Sequence, residues 1–507
     1  MGRARTGLAA GVSRLVACRR VDWRAGQCGR SAPPPSLCDA GAWFETAQRG
    51  IEGPGAVRRS DLVGANWVQL LRVLRAASRH RSGQLLGVLV ALLGVASSTE
   101  AQVDIRDAVA RARAPTVSAG GEVREQYERF AHEEWGSETP DGSGYWLQRY
   151  MFHVDAQVWR RLRAFVEVKS GIEVGRAGGP RPPDEDTLDL HQGFLDLWFG
   201  PATIRLGRQE LAFGTERLIS VREGPNVRQT FDGADLVLQY GRWRVDGFGA
   251  RYVETDTGVF DDSSNTGRIV WGIYAVRGPG AAGTRGIDLY YLGYRRNEAS
   301  FDQGTDREVR HSWGVRAWRE SASVDYNMEA SLQTGTFGQS RIRSWTVASD
   351  TGYRPVPSVR FGVRANVTSG DADRGDERLG TFNPLFPRGD YFGLVSPLAP
   401  SNHLDMHPQV TVHVRADLVI KATWLFFWRE ESGDGLYGIP GNLLRSGKGT
   451  HERFVGQSPG LEVEWQTTKS LSFTGDFALF TAGPFIRESG PPAEDITYIA
   501  AWLTYRF

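Results

Sequence analysis

From about residue 120 to the C-terminus, apolar and polar residues alternate with a period of two. In the stretch 358–369, Val359, Phe361, Val363, Ala365 and Val367 form one row, and Arg360, Gly362, Arg364, Asn366 and Thr368 form the other. In 418–430, Leu418, Ile420, Ala422, Trp424, Phe426 and Trp428 share a face, opposite Lys421, Thr423 and Arg429; Leu425 and Phe427 dilute the polar row. A period of two places alternate residues on opposite faces of a β-strand. The pattern predicts eighteen strands, from 121–129 to 495–507, with no long helical pattern between them. Many run 9–13 residues, the length a tilted strand needs to cross a bilayer and about twice that of an average soluble strand.

The connections alternate in length. Those after even-numbered strands are short, at Gln157, Gly200-Pro201, Tyr240-Gly241, Arg319 to Ser321, Ala416-Asp417 and Thr467 to Lys469, with 278–284 and 351–356 somewhat longer. Those after odd-numbered strands tend to be long: 130–144, 171–186, 214–228, 253–266, 369–404, 430–451 and 482–494. Short turns on one side and long loops on the other mark an outer-membrane barrel. Eighteen strands enclose a lumen too wide for wall side chains to fill, so the apolar row is expected to face lipid and the polar row the lumen. The fold class is therefore all-β, an 18-stranded antiparallel transmembrane barrel. Trp243, Trp428 and Trp465 fall near strand ends on apolar rows and suit interfacial girdles.

The last strand, ITYIAAWLTYRF (496–507), is expected to close the barrel against the first, with Ile499, Ala501, Leu503, Tyr505 and Phe507 facing lipid. A terminal aromatic of this kind is what barrel-assembly machinery recognises in similar proteins.

Upstream, RHRSGQLLGVLVALLGVASSTEAQ (79–102) has a basic start, a twelve-residue apolar run from Leu85 to Ala96, and small residues Thr99 and Ala101 before a cleavage point at Gln102. It reads as a secretory signal peptide over 79–101. Residues 1–78, which contain all three cysteines (Cys18, Cys28 and Cys38), read as an upstream extension or leader. Residues 102–119 read as a periplasmic segment and 120–507 as the barrel. Without 1–101, which hold 14 arginines, the chain has 46 basic and 53 acidic residues, a net charge of −7. Attraction for anions must then come from local arrangement, and nothing points to nucleic acid. The negative mean hydropathy of the chain argues against a helical membrane bundle but not against a barrel.

The polar rows carry arginine repeatedly. Arg161, Arg163, Arg205, Arg310, Arg316, Arg360, Arg364 and Lys421 are candidates for a cationic lumen, where guanidinium holds carboxylates bidentately. The alternative is that they pair with Asp155, Glu167, Asp196 and Asp246 to hold the interior together. The stretch 206–238 leaves one strand, passes Glu216, Arg217, Arg222, Glu223 and Arg228, and enters the next; its mixed charge suits either a loop folded into the pore or a solvated outer loop.

That stretch, LGRQELAFGTERLISVREGPNVRQTFDGADLVL, together with LDLHQGFLDLWFG (188–200) and LGTFNPLFPRGDYFG (379–393), resembles the alginate export family. The resemblance covers most of 120–507. It implies an eighteen-stranded outer-membrane barrel whose arginine-rich lumen passes a polyuronate by diffusion, without turnover or cofactor. By analogy Arg205, Glu210, Arg217, Arg222 and Arg228 would form the constriction. Arg208 and Glu210 share parity with Ile204 and Leu206 and would face lipid unless a bulge intervenes.

The partners so implied are outer-membrane lipid, an anionic polysaccharide or small anionic solute, the barrel-assembly machinery and periplasmic export components. A general anion porin is the nearest rival. A hydrolase is disfavoured because the adjacent His311 and Ser312 face opposite sides of a strand. His403 and His407 near Asp405 have helical spacing for a metal site, but their setting reads as a loop entering a strand. The tripeptides Arg374-Gly375-Asp376 and Arg388-Gly389-Asp390 read as chance matches to a cell-attachment motif.

Overall fold

A computed structural model describes residues 116–507, apart from 140–141 and 279–284. The expected extension, signal peptide and most of the periplasmic segment lie outside the described residues. The barrel begins at Thr116, four residues before the expected boundary.

Eighteen strands make the wall: β1 (Thr116–Ala131), β2 (Tyr145–Trp159), β3 (Leu162–Val174), β4 (Asp186–Phe199), β5 (Ala202–Gln209), β6 (Phe231–Tyr240), β7 (Trp243–Glu254), β8 (Ser263–Arg277), β9 (Arg285–Phe301), β10 (Gly304–Arg319), β11 (Val324–Phe337), β12 (Ser340–Val356), β13 (Val359–Thr368), β14 (His403–Arg415), β15 (Leu418–Trp428), β16 (Phe454–Gln466), β17 (Leu471–Ala482) and β18 (Ile496–Arg506). Each pairs antiparallel with the next, and β18 pairs with β1, so the sheet closes. Closure pairs each strand on both sides along the shared height of the wall, which spares it the open edge a bilayer cannot satisfy.

At the seam Phe507 and Gly121 exchange both backbone hydrogen bonds, at 3.0 and 3.1 Å. Ile499, Leu503, Tyr505 and Phe507 all lie exposed on the outward row. The same row continues around the wall through Leu206, Leu236, Ile273, Trp313, Val347, Phe361, Trp424 and Leu461. This is the apolar belt expected of a lipid-facing surface. Trp243, Trp428 and Trp465 fall on it, paired with the outward Tyr240, Leu404 and Leu418.

Two turns differ from expectation: residues 351–356 continue β12 to Val356, leaving Pro357-Ser358 as the turn to β13, and the turn after β2 shifts. Gln157 does not break the sheet: it pairs with Arg163, and its side-chain amide donates to the Trp159 and Leu162 carbonyls at 2.6 and 3.2 Å. The turn is Arg160-Arg161 instead, where two charged side chains reach water. Arg161 is therefore an exposed turn residue and not part of the lumen wall.

The wall is uneven. β9 and β12 have 17 residues each, whereas β5 and β6 have 8 and 10. Over this low stretch the 210–230 loop turns into the lumen. The 255–262 segment closes the notch above by pairing with the outer end of β4: Thr187 N–H donates to Thr257, Leu188 to Gly258, and Phe260 back to Leu188.

The outer half of the lumen is packed. The loops 369–402, 429–453 and 483–495 fold inward, and Phe392, Leu436, Phe485 and Ile486 form a buried cluster with the wall residues Leu425, Phe427, Phe480 and Tyr498. A second cluster joins Leu218, Ile219 and Phe386 from two loops to Phe231, Val270 and Tyr294. This accounts for Leu425 and Phe427 on the otherwise polar inward row. They serve a core that the loops bring in, at roughly 25 cal/mol per Å² of apolar surface buried.

Candidate functional site: the lumen constriction

The candidate site starts at a bulge. Between β3 and β4 the register shifts so that Val168 meets Leu190 and Glu167 meets Gln192, leaving His191 as an extra residue. Opposite it, β5 ends at Gln209, and the Gln192 side-chain carbonyl accepts the Glu210 N–H at 3.2 Å. The chain turns inward here, and Glu210 takes His191 Nε2 at 2.8 Å. Arg208, one step earlier, keeps the outward parity its position implies. It is held bidentately by Asp232 at 2.9 and 3.1 Å and capped by the Asp262 carbonyl. The two residues that share parity in the sequence thus part company at the strand end.

Beyond Glu210 the loop crosses the lumen. Arg217 reaches the far wall, donating to Glu329 of β11 at 3.3 Å and to Asn366 Oδ1 of β13 at 3.0 Å, with its guanidinium 4.8 Å from the Tyr391 ring centre. Ile219 bridges to Phe386, so the 369–402 loop lies alongside. The loop then returns along the near wall. Arg228 pairs with Glu210 at 2.9 Å and with Glu223 at 3.1 Å. Glu223 meets Arg149 of β2, which holds Glu122 of β1 at 2.7 Å, and Glu122 holds Arg506 of β18 at 2.8 Å. Arg124 of β1 donates to the carbonyls of Glu223, Gly224 and Pro225. A continuous chain of ion pairs thus ties the loop to the closing seam. Enclosure in the lumen acts to raise the Glu223 carboxyl, but the Arg149, Arg228 and Arg124 guanidiniums outweigh it and hold it well below the usual carboxylate range.

Arg222 stands apart. Its backbone adopts φ 54°, in the left-handed region, with its N–H on Ser220 Oγ at 3.1 Å. Its side chain is half-buried, its Nε has no hydrogen-bond partner, and among the described residues it pairs with no carboxylate.

The remaining candidates lie on the inward row, each beside an acid. Arg163 bridges Asp155 and Asp196 at 2.8 and 2.9 Å, and Arg205 takes Asp196 at 2.7 Å. Arg316 takes Asp288 at 2.8 Å; Arg360 takes Asp325 and Asp350 at 2.6 and 2.9 Å; Arg364 takes Asp350 at 3.5 Å; Lys421 takes Glu462 at 3.3 Å. Arg310 is fully buried among Glu308, Gln333, Ser344 and the Thr381 carbonyl, so it ties the 369–402 loop to the wall. The lumen wall is a lattice of arginine–carboxylate pairs; of the acids the alternative reading named, Asp155 and Asp196 take candidates, whereas Asp246 takes Arg244 and Glu167 lies beside His153 and His191.

A sequence profile of the alginate export family matches residues 116–498. The chain belongs to the alginate export family. It is an outer-membrane channel for anionic solutes, placed in the Gram-negative outer membrane. No curated protein matches the sequence. Among solved structures it is similar to Pseudomonas aeruginosa OccK11 (OpdR), at 13% identity over 78% of this chain and 96% of that one, TM-score 0.51. It is also similar to P. aeruginosa OpdO (10%, 77% and 97%, 0.55) and to OpdK solved with vanillate (9%, 77% and 98%, 0.52). At these identities the likeness is one of fold.

Within this alginate-export barrel the sequence reading missed Glu122, Arg124, Arg149 and Arg506. The signal was available, since Glu122, Arg124, Gln126 and Glu128 occupy alternate positions of β1. The reading of His403, Asp405 and His407 needs correction. β14 starts at His403, so all three share the inward face, and each histidine Nε2 meets its own Asp405 oxygen, at 2.6 and 2.9 Å. Asp405 also accepts from Asn366, so the group extends the Arg217 network.

Proposed function

We propose that this channel passes an anionic polysaccharide, or another linear anionic solute, by diffusion past the 210–230 loop, with Arg222 and Arg228 as the cationic face of the narrowest point. The carrying observation is Arg222, a partly desolvated guanidinium free of any carboxylate and fixed by a strained backbone. A cation with no carboxylate partner among the described residues, on a loop whose Arg217 and Arg228 are both neutralised, gives a passing carboxylate an uncontested partner. The paired arginines offer exchange sites along the wall, where a carboxylate competes with Asp155, Asp196 or Asp350.

The reading is one of passage without chemistry. In support, His311 faces outward onto the Tyr291 hydroxyl at 2.9 Å, whereas Ser312 faces inward and accepts from Gln333. The close packing of the outer loops favours a second reading, in which small carboxylates permeate and a polymer does not.

Planar-bilayer recording of the purified protein decides between them. Under a salt gradient the reversal potential should indicate anion selectivity, reduced in Arg222→Gln and Arg228→Gln. Polyuronate should block the current at submillimolar concentration. Cation selectivity would overturn the proposal; anion selectivity without polyuronate block would leave the small-solute reading.

A further inference from the structure

The wall has a second low point, away from the lumen site. β13 ends at Thr368, opposite Thr346, while β12 continues outward from Trp345 to Ser340. The 369–402 loop patches the bare edge. Arg378 and Leu379 run parallel to Arg341 and Ile342, and the Arg341 N–H donates to the Glu377 carbonyl at 2.8 Å. Ile342 and Leu379 point inward into a small buried cluster, so Arg341 and Arg378 share the outward face.

Between this patch and the wall opens a cleft of about 440 Å³, lined among others by Arg343, Arg378, Trp345, Leu332, Glu430 and Glu431. Leu332 and Trp345 are paired neighbours on the lipid-facing row, 63% and 39% exposed, with the apolar Val347 next along β12. Arg343 lies one step further out on the same row, about 7 Å along the strand. Arg341, Arg343 and Arg378 are all exposed and pair with no carboxylate among the described residues. This sets them apart from the paired wall arginines Arg163, Arg205, Arg316, Arg360 and Arg364. Glu430 accepts the Gly370 amide at 2.9 Å, which turns it toward the loop side of the cleft.

The outward surface therefore runs from an apolar band, through an indole, to unpaired guanidiniums within two residues. That is the polarity gradient of a membrane amphiphile with an anionic head. Guanidinium binds phosphate bidentately, and cations beside a membrane surface attract anionic lipid. We propose that this cleft binds the phosphorylated headgroup of an outer-leaflet lipid, with Arg343 and Arg378 on the phosphate and Leu332 and Trp345 against the acyl chains. The site is independent of the pore and of what passes through it.

The test uses the full chain, extracted in mild detergent and delipidated, titrated with diphosphorylated lipid A, dephosphorylated lipid A and inorganic phosphate. The diphosphorylated lipid should bind at least tenfold more tightly than either control. Arg343→Gln with Arg378→Gln should remove at least tenfold of that affinity, the double lysine variant should keep most of it, and Arg161→Gln in the far turn should change nothing. Folding of each variant is checked by heat-modifiable gel mobility. Equal binding of the dephosphorylated lipid to the unaltered protein overturns the proposal whether or not the variants fold. So does equal binding of inorganic phosphate, or undiminished affinity in a folded double glutamine variant.

Discussion

Arg217, carried on the loop that follows β5, meets Glu329 of β11 at 3.3 Å across the lumen. Both side chains are buried, and Tyr290 and Thr215 also donate to Glu329. Removing one partner of a buried ion pair leaves an uncompensated charge, at a cost of about 3 kcal/mol or more. Arg217→Met should therefore free the loop from the far wall, raising single-channel conductance and current noise. Urea unfolding should show the lost stability, and Arg217→Met with Glu329→Gln should recover part of it. Unchanged conductance in the single variant would mean that the loop is held elsewhere.

Arg222 should behave in the opposite way. It has no carboxylate partner to strand, so Arg222→Gln is expected to leave stability within about 0.5 kcal/mol while lowering anion selectivity. Arg222→Gly would also relieve the left-handed backbone. Chemical unfolding and reversal potentials on the same samples check both halves.

The junction of the 369–402 and 429–453 loops should loosen with rising pH. Asp371 N–H donates to Asp434 at 2.9 Å, and Thr381 Oγ1 donates to the same oxygen at 2.6 Å. Burial, then the nearby Asp434 carboxylate, push the Asp371 carboxyl up to about 7, and burial pushes Asp434 up to about 6. A solvated aspartate titrates near 3.9. The closed junction therefore holds protons that the open one releases. Its stability is full below about pH 4 and declines as pH rises through about 7. Amide hydrogen exchange in both loops, corrected for intrinsic rates, should accelerate between pH 5 and 8, and Asp371→Asn should flatten that dependence.

Gly207 should tolerate no side chain. Its φ is +131°, and an added Cβ would lie 2.2 Å from the Gly193 carbonyl oxygen. Gly207→Ala is expected to cost more than about 1 kcal/mol and to disturb the strand end from which Glu210 turns inward. Heat-modifiable mobility and polyuronate block should both decline. Gly200→Ala, in an open turn with nothing near the added atom, should affect only the local turn.

The last residue should matter for assembly. Phe507 shares two backbone hydrogen bonds with Gly121 at the seam and stacks on Tyr505 with ring centres 5.8 Å apart. Deleting it should lower the folded fraction in the outer membrane, read by gel mobility of membrane fractions, whereas Phe507→Tyr should not.

The alternation of side chains and the parity of the connections were enough to predict eighteen strands, a closed barrel and an outward apolar row. These are properties of one strand and its neighbour. A period of two in Val359 to Val367, or a two-residue turn at Ala416-Asp417, has only one reading in a sheet. Even the parity of Arg208 was legible and held. What the sequence could not place was any relationship between segments far apart in the chain. Whether Arg217 would meet Glu329, 112 positions away, depends on where a loop lands after crossing the lumen. The path of that loop is set by the height of the wall at β5 and β6 and by the bulge at His191. Likewise, the inward Leu425 and Phe427 looked like noise in a polar row until the loops 369–402 and 483–495 arrived to bury them. The inward row could be listed from sequence as a series of arginines. Only the tertiary structure decided which were neutralised, because pairing across strands needs the register, and on the 210–230 loop it is where the chain lands that gives Arg217 and Arg228 their carboxylates and leaves Arg222 without one.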